Sequence, residues 1–180
     1  MCVGTIATSS LGECRMDVFE HRADVPLIDR VKIQAEVLVP LVKGLEHELG
    51  REPARELVRG ALAEYYRDLA SALARDRGSL GAMQALGEVS SGADAIDVEV
   101  REMSSDRMAF DVTGCRYAQF FQEIGEPELG FLLVCSADFP MTDGIPGVEL
   151  ERTHTIMQGA EFCDFRYRFL SEELAPPSQA

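Results

Sequence analysis

The stretch IDVEVREMSSDRMAFDVT, residues 96–113, decides the fold. Apolar and polar residues alternate on both sides of the turn-forming triplet Ser104-Ser105-Asp106, as they do in two paired strands that bury one face. The stretch therefore predicts a β-hairpin. A second alternating pattern, in 148–157 and again in 162–169, predicts another hairpin near the end of the chain.

Upstream of the first hairpin, apolar residues recur at helical spacing instead. The predicted helices span 27–49, 53–77 and 80–86 before the first hairpin, and 117–124 and 127–139 between the two hairpins. Pro40 lies inside the first helix and predicts a kink or a break there. The order α-α-(α)-β-β-α-α-β-β predicts an α+β fold, in which long N-terminal helices pack with a mainly antiparallel sheet.

A chain of 180 residues is long enough for one domain with its own core. We expect a flexible arm in 1–24, a single α+β domain in 25–170 and a flexible tail in 171–180. Within the domain, 25–90 form the helical part and 93–170 form the sheet part. Apolar stripes on the long helices could exceed what one small sheet covers, so a homodimer is an open alternative to a monomer.

Charge and hydropathy exclude several classes of protein. Seventeen basic residues against 31 acidic ones give a net charge of −14, which repels a phosphate backbone, so we expect no nucleic-acid partner. No apolar run approaches the roughly 18 residues of a membrane span. No basic segment followed by an apolar one opens the chain, and we therefore expect a cytoplasmic protein.

Five cysteines, none of them in a CxxC pair, predict free thiols or metal ligands rather than a disulfide framework. Cys115 falls where the first hairpin gives way to a helix. A helix N-terminus lowers a thiol pKa and favours a nucleophile, although such junctions also favour small residues for packing alone.

The second hairpin predicts a cluster of reactive side chains. If residues 158–161 form its loop, Ile156 pairs with Cys163 and His154 pairs with Phe165. Arg152, His154 and Cys163 then share the apolar face. A buried arginine needs a counter-ion, either Asp138 or a substrate carboxylate.

The helix from Pro127 can supply that counter-ion. Phe131, Cys135 and Asp138 lie at i, i+4 and i+7, and so share the helix face that would cover the sheet. Each side chain also has a purely structural interpretation, since Cys135 and Cys163 could be small core residues and His154 could be a hydrogen-bonded core histidine.

A metal site is an alternative to a cofactor-free protein. Cys135, His154, Cys163 and Glu151 form a donor set suited to zinc. The same register places Glu151 on the opposite face unless a bulge intervenes.

The C-terminal half contains motifs that resemble the L-2-amino-thiazoline-4-carboxylic acid hydrolase family. The motifs are CRYA (115–118), GEPELG (125–130), CSAD (135–138), ERTHTIMQG (151–159) and CDFRY (163–167). The helices of 27–73 are also similar, with a less specific pattern. A fainter likeness connects the same layout with 4-vinyl reductase type ligand-binding domains, some of which hold zinc in sensors.

The first resemblance implies a hydrolase that acts on a carbon–nitrogen bond other than a peptide bond. It would open a cyclic amidine or isothiourea through its C–N or C–S bond and release an N-carbamoyl amino acid with a free thiol. Other polar residues stand at the place of His154 in the family, so the resemblance shifts emphasis to Cys115, Asp138, Cys163 and Asp164.

The residue types suit this chemistry. Ring opening needs a nucleophile, an acid/base group and a cation for the substrate carboxylate. We predict Cys163 or Cys115 as the nucleophile, Asp138 or His154 as the acid/base and Arg152 as the anchor.

Three further side chains, Cys135, Tyr117 and Phe131, are predicted to line the substrate site. Water could replace the thiol, with Asp138 as its base. The alternative function is a sensor-like domain that binds a small molecule or zinc without turnover.

Overall fold

The computed structural model describes residues 25–170. The predicted arm (1–24) and tail (171–180) lie outside this range. The elements are α1 (Leu27–Leu49), α2 (Arg51–Ser91), β1 (Ile96–Met103), β2 (Arg107–Cys115), α3 (Arg116–Glu123), α4 (Pro127–Leu133), α5 (Asp138–Asp143), β3 (Val148–Glu151) and β4 (Cys163–Phe169). Short 3-10 turns occupy Gly92–Asp94, Cys135–Ala137 and Ile156–Gln158.

The four strands form an antiparallel sheet in the order β1-β2-β4-β3. Long N-terminal helices pack with this sheet, which confirms the predicted α+β class. The first hairpin is also confirmed, because β1 pairs with β2 across the turn at 104–106. Met108 and Phe110 of β2 pair in turn with Tyr167 and Phe165 of β4.

The second hairpin was predicted with the wrong register. β3 ends at Glu151, and Leu150 pairs with Tyr167, so the register lies two residues away from the prediction. The predicted pairs of Ile156 with Cys163 and of His154 with Phe165 therefore do not form. A shift of two residues leaves every side chain of a strand on its predicted face, because side chains alternate with a period of two.

The long helices follow the sequence pattern with one difference. α1 continues through Pro40 without a break. α2 is interrupted at Gly78, whose φ of 71° and ψ of 168° are not helical. This interruption agrees with the predicted end of the second helix at residue 77. The helical segment after Gly78 reaches Ser91 and is longer than predicted.

The predicted helix over 127–139 is two helices. α4 ends at Leu133, a 3-10 turn follows, and α5 begins at Asp138. Pro140 lies in the first turn of α5, where its missing N–H leaves no helical hydrogen bond unmade. The break turns the chain between Phe131 and Cys135, so the predicted single helical face does not exist as such.

Two clusters of buried residues form the core. One joins α1, α3 and α4 around Phe121, Leu129 and Val42. The other joins α2 to α5 and the β3–β4 pair around Ile145 and Leu73. Within residues 25–170, no helix is both long enough and apolar enough to cross a bilayer.

Candidate functional site

A buried guanidinium organises the site. Arg152 follows β3 directly, and its side chain is 3% exposed. Its Nη1 donates to a carboxylate oxygen of Asp138, and its Nη2 donates to the backbone carbonyl of Cys135 at 3.1 Å. The rings of Phe139 and Phe165 lie 5.3 and 5.4 Å from the guanidinium carbon, within cation–π distance. Groups of the protein itself therefore bind both terminal nitrogens of the guanidinium and cover its faces.

Asp138 is one of the two counter-ions that the sequence analysis considered for Arg152, and it pairs with Arg152 in the structure. Its side chain is 25% exposed, whereas its neighbour Phe139 is 40% exposed, so this end of the site is open to solvent. Burial raises the pKa of Asp138 from 3.8 to about 6, even though Arg152 lowers it. A carboxyl group with this pKa can take up or release a proton near neutral pH.

Three free cysteines surround the pair. Cys115 caps the N-terminus of α3, where the Ala118 amide donates to its sulfur at 3.4 Å, and the Ile156 amide donates to the sulfur of Cys163 at 3.3 Å. Asp138 acts electrostatically on Cys115, Cys135 and Cys163, which places all three thiols near one carboxylate.

These cysteines are neutral thiols in their surroundings. Burial raises the pKa of Cys115, Cys135 and Cys163, and Asp138 raises each of them further. Of the two alternatives for Cys115, a lowered pKa at the helix N-terminus or a residue placed there for packing, the net effect on the pKa does not favour the first. The amide hydrogen bonds at the helix start do lower it, but desolvation outweighs them.

His154 does not face the core. Its side chain is 57% exposed, and its ring stacks on Phe162 with centroids 5.6 Å apart. Asp164 accepts hydrogen bonds from the backbone amides of Thr153 and His154 and from the Thr153 hydroxyl. These bonds turn the chain away after Glu151, so the alternation that put His154 beside Cys163 ends three residues before it.

Asp164 supports this turn of the chain. Although burial raises its pKa, the hydrogen bonds from Thr153 and His154 outweigh that effect and hold the pKa of Asp164 well below its usual range. An acceptor that is saturated in this way is a poor proton acceptor at neutral pH. The catalytic role implied for Asp164 stays a prediction that this geometry does not favour.

Two predicted substrate contacts lie in the helical core. The Tyr117 hydroxyl donates to the Ser90 carbonyl at 3.2 Å, and burial raises the pKa of Tyr117 to about 12. Phe131 packs, partly buried, against the α1–α3–α4 cluster.

The alternative zinc set does not assemble. His154 and Glu151 are both exposed, whereas Cys163 is buried. Among residues 25–170, no three His, Cys, Asp or Glu side chains are grouped so that they could hold a metal ion.

The sequence analysis did not identify the aromatic side chains that lie at the site. Burial raises the pKa of both Tyr66 and Tyr167, and Asp138 raises each further, which places two phenols near this carboxylate. Phe165 stacks with Tyr167 on the inner face of β4 and also covers Arg152. One signal could have indicated Tyr66, because it shares a helix face with Ala70 and Leu73 at i+4 and i+7.

A shallow charged groove lies on the other side of the sheet. Two of its arginines pair across strands: Arg168 lies 3.4 Å from Glu149, and Arg166 lies 2.7 Å from the buried Asp111. The candidate site is the one at Arg152, because it contains a carboxyl group whose pKa is raised to about 6.

Fold and site define an α+β protein with a solvent-accessible carboxyl group held by a buried cation. A family model described as L-2-amino-thiazoline-4-carboxylic acid hydrolase matches residues 30–167, and the chain therefore belongs to this family. No protein of curated function matches the sequence.

Among solved structures, the chain is similar to the crystal structure of the phenol-responsive sensory domain of the transcription activator PoxR with phenol. The identity is 13% and the TM-score is 0.46. The alignment covers 75% of this chain and 74% of that chain.

Proposed function

We propose that this protein hydrolyses L-2-amino-thiazoline-4-carboxylate, a cyclic isothiourea, to N-carbamoyl-cysteine. The family to which the chain belongs is named for this reaction. The observation that carries the proposal is Asp138: a carboxyl group with a pKa of about 6, fixed by Arg152 and open to solvent on one side. This group is suited to accept a proton from an attacking water near neutral pH.

The ring opening balances with water as the only co-reactant. The water oxygen bonds to the ring carbon between sulfur and nitrogen while Asp138 takes one proton, and the electron pair of the carbon–nitrogen double bond moves to the ring nitrogen. The ring nitrogen takes the second water proton as the hydroxyl oxygen becomes the carbonyl oxygen. The carbon–sulfur bond then breaks, and the proton from Asp138 goes to the departing sulfur. The product contains a carbamoyl group on nitrogen and a free thiol.

Water is favoured over a cysteine nucleophile for an electrostatic reason. All three thiols near Asp138 have raised pKa values, so little thiolate is present near pH 7. In this proposal Cys115, Cys135 and Cys163 shape the site. Arg152 positions Asp138, because its two terminal nitrogens are already bonded to protein acceptors.

The test is release of N-carbamoyl-cysteine from the thiazoline carboxylate, measured by mass spectrometry and by a chromogenic disulfide with a substrate-free control. We expect Asp138→Asn to lower kcat by about 100-fold or more, the usual effect of losing a general base. Asp143→Asn is the matched control, since Asp143 lies on the same helix and is exposed.

The pH dependence adds a second criterion. For wild type, kcat/KM is expected to rise with an apparent pKa near 6, as Asp138 ionises. Folded wild-type protein that binds the compound without turnover would instead support the non-catalytic, sensor-like alternative. Folded protein that neither binds nor converts it would overturn the substrate.

A further inference from the structure

The proposed reaction needs a group that binds the substrate carboxylate, and Arg152 is poorly placed for this in the structure. Its Nη1 and Nη2 are bonded to Asp138 and to Cys135, and two aromatic rings cover its faces. The Nε of Arg152 is buried and has no hydrogen-bond partner among residues 25–170, so Arg152 offers a ligand this one donor, whereas a carboxylate has two oxygens to satisfy. The carboxylate therefore calls for a second donor close to Asp138.

Tyr66 has the position that such a donor requires. The part of α2 before Gly78 packs tightly on the end of α5: a Cβ placed on Gly144 would collide with the Arg67 carbonyl oxygen and would lie 2.9 Å from the Ala70 Cβ. Tyr66 lies one turn before Ala70 on the same helix face. This packing turns the helix face that carries Tyr66 toward α5, and Asp138 at the start of α5 acts electrostatically on Tyr66.

The Tyr66 hydroxyl is also available. Its side chain is half-buried, and among residues 25–170 no hydrogen bond engages its hydroxyl. By contrast, the Tyr117 hydroxyl is bonded to a backbone carbonyl in the core. Burial and the neighbouring Asp138 keep the Tyr66 phenol protonated at neutral pH, so its hydroxyl can donate a hydrogen bond to an anionic oxygen.

We propose that Tyr66 contacts the substrate and that its hydroxyl donates a hydrogen bond to the substrate carboxylate. This inference rests on the proposed function and identifies the residue that selects an acidic thiazoline over a neutral one. The contact forms in the ground state as well as in the transition state, so it affects KM more than kcat.

The test compares Tyr66→Phe with Tyr117→Phe on two substrates. With the thiazoline carboxylate, Tyr66→Phe is expected to raise KM about 10-fold or more with kcat nearly unchanged, as loss of a hydrogen bond to a charged group predicts. Tyr117→Phe leaves KM unchanged. With 2-amino-thiazoline, which lacks the carboxylate, wild type and Tyr66→Phe are expected to have equal KM values, because the hydrogen bond has no acceptor there. The two variants and two substrates together form a double-perturbation cycle that isolates this contact.

A spectroscopic readout does not depend on turnover. The chain contains four tyrosines and no tryptophan, so the tyrosine band of an ultraviolet difference spectrum is free of overlap from tryptophan. The thiazoline carboxylate added to Asp138→Asn should give a tyrosine difference band. The band should disappear in the Asp138→Asn, Tyr66→Phe double variant and persist when Tyr117→Phe is used instead.

The outcomes separate the two proposals. Turnover by wild type with an unchanged KM in Tyr66→Phe would overturn the role of Tyr66 and leave the proposed function standing. An equal KM penalty on both substrates would show that Tyr66 does not contact the carboxylate. Absence of both turnover and a difference band in wild type would overturn the proposed function, and the contact with it.

Discussion

Replacing Asp138 by asparagine should stabilise the protein at pH 8 while it lowers kcat by about 100-fold or more. The pKa of Asp138 is 3.8 in an unfolded chain and about 6 in the fold, because burial outweighs the attraction of Arg152. The folded state therefore prefers the protonated carboxyl group. The stability that this preference contributes is fully present below about pH 4 and is lost as pH rises through 6.

The magnitude follows from the two pKa values. The difference between 3.8 and about 6, at about 1.4 kcal/mol for each pH unit, corresponds to up to roughly 3 kcal/mol. Asparagine resembles the protonated carboxyl group in shape and charge, so Asp138→Asn should avoid this cost at every pH. A site residue that destabilises the fold in its active form is a familiar trade-off between stability and activity.

The assay is urea denaturation of wild type and Asp138→Asn at pH 4 and pH 8. We expect similar free energies of unfolding at pH 4 and a variant that is more stable by up to roughly 3 kcal/mol at pH 8. Asp143→Asn should change stability by less than about 0.5 kcal/mol, as exposed substitutions do. A variant clearly less stable than wild type at pH 8 would refute the reasoning, since the ion pair with Arg152 would then outweigh burial.

Three further predictions concern other parts of the molecule. Asp164→Ala should lower the free energy of unfolding by about 1–3 kcal/mol at pH 7, because it leaves the amides of Thr153 and His154 without their acceptor. Since the pKa of Asp164 is lowered, this stability is lost as pH falls below about 4, and a loss that persists unchanged at pH 2 would contradict the assignment. Cys163→Ala should retain turnover within about threefold if water is the nucleophile, whereas a fall of 100-fold or more would identify a thiol. If the homodimer that the sequence leaves open forms through the exposed apolar stripe on α1, Val37→Lys should convert a dimer into a monomer in analytical ultracentrifugation, and a monomeric wild type would contradict it.

The sequence predicted the environment of several site residues correctly even where it misplaced the backbone. Arg152 and Cys163 are buried as expected, although the pairing of β3 with β4 is shifted by two residues. A shift of two preserves the face of every side chain, so the error in register did not carry over to burial. The error at His154 has another origin: the strand ends at Glu151, and a period of two says nothing about residues beyond a strand end.

The position of that strand end could not be read from the local pattern. ERTHTI alternates well enough to continue a strand, but Asp164 captures two successive amides and turns the chain. Asp164 belongs to a different strand, so this competition arises only after β3 and β4 have paired. The split of the predicted helix over 127–139 could have been read from the sequence. Pro140 favours the first turn of a helix, so it could have indicated that a new helix starts shortly before it.

By itself, the sequence determined the α+β class, the first hairpin, the interruption of α2 at Gly78 and the inward orientation of Arg152. These features follow from periodicity and from backbone preferences, which act between residues close together in the chain. Only the tertiary structure decided the protonation behaviour of Asp138 and the three thiols, and the presence of Tyr66 beside them. Desolvation depends on every atom that surrounds a group, and here those atoms come from α2, α5, β4 and the segment after β3, which only the completed fold brings together.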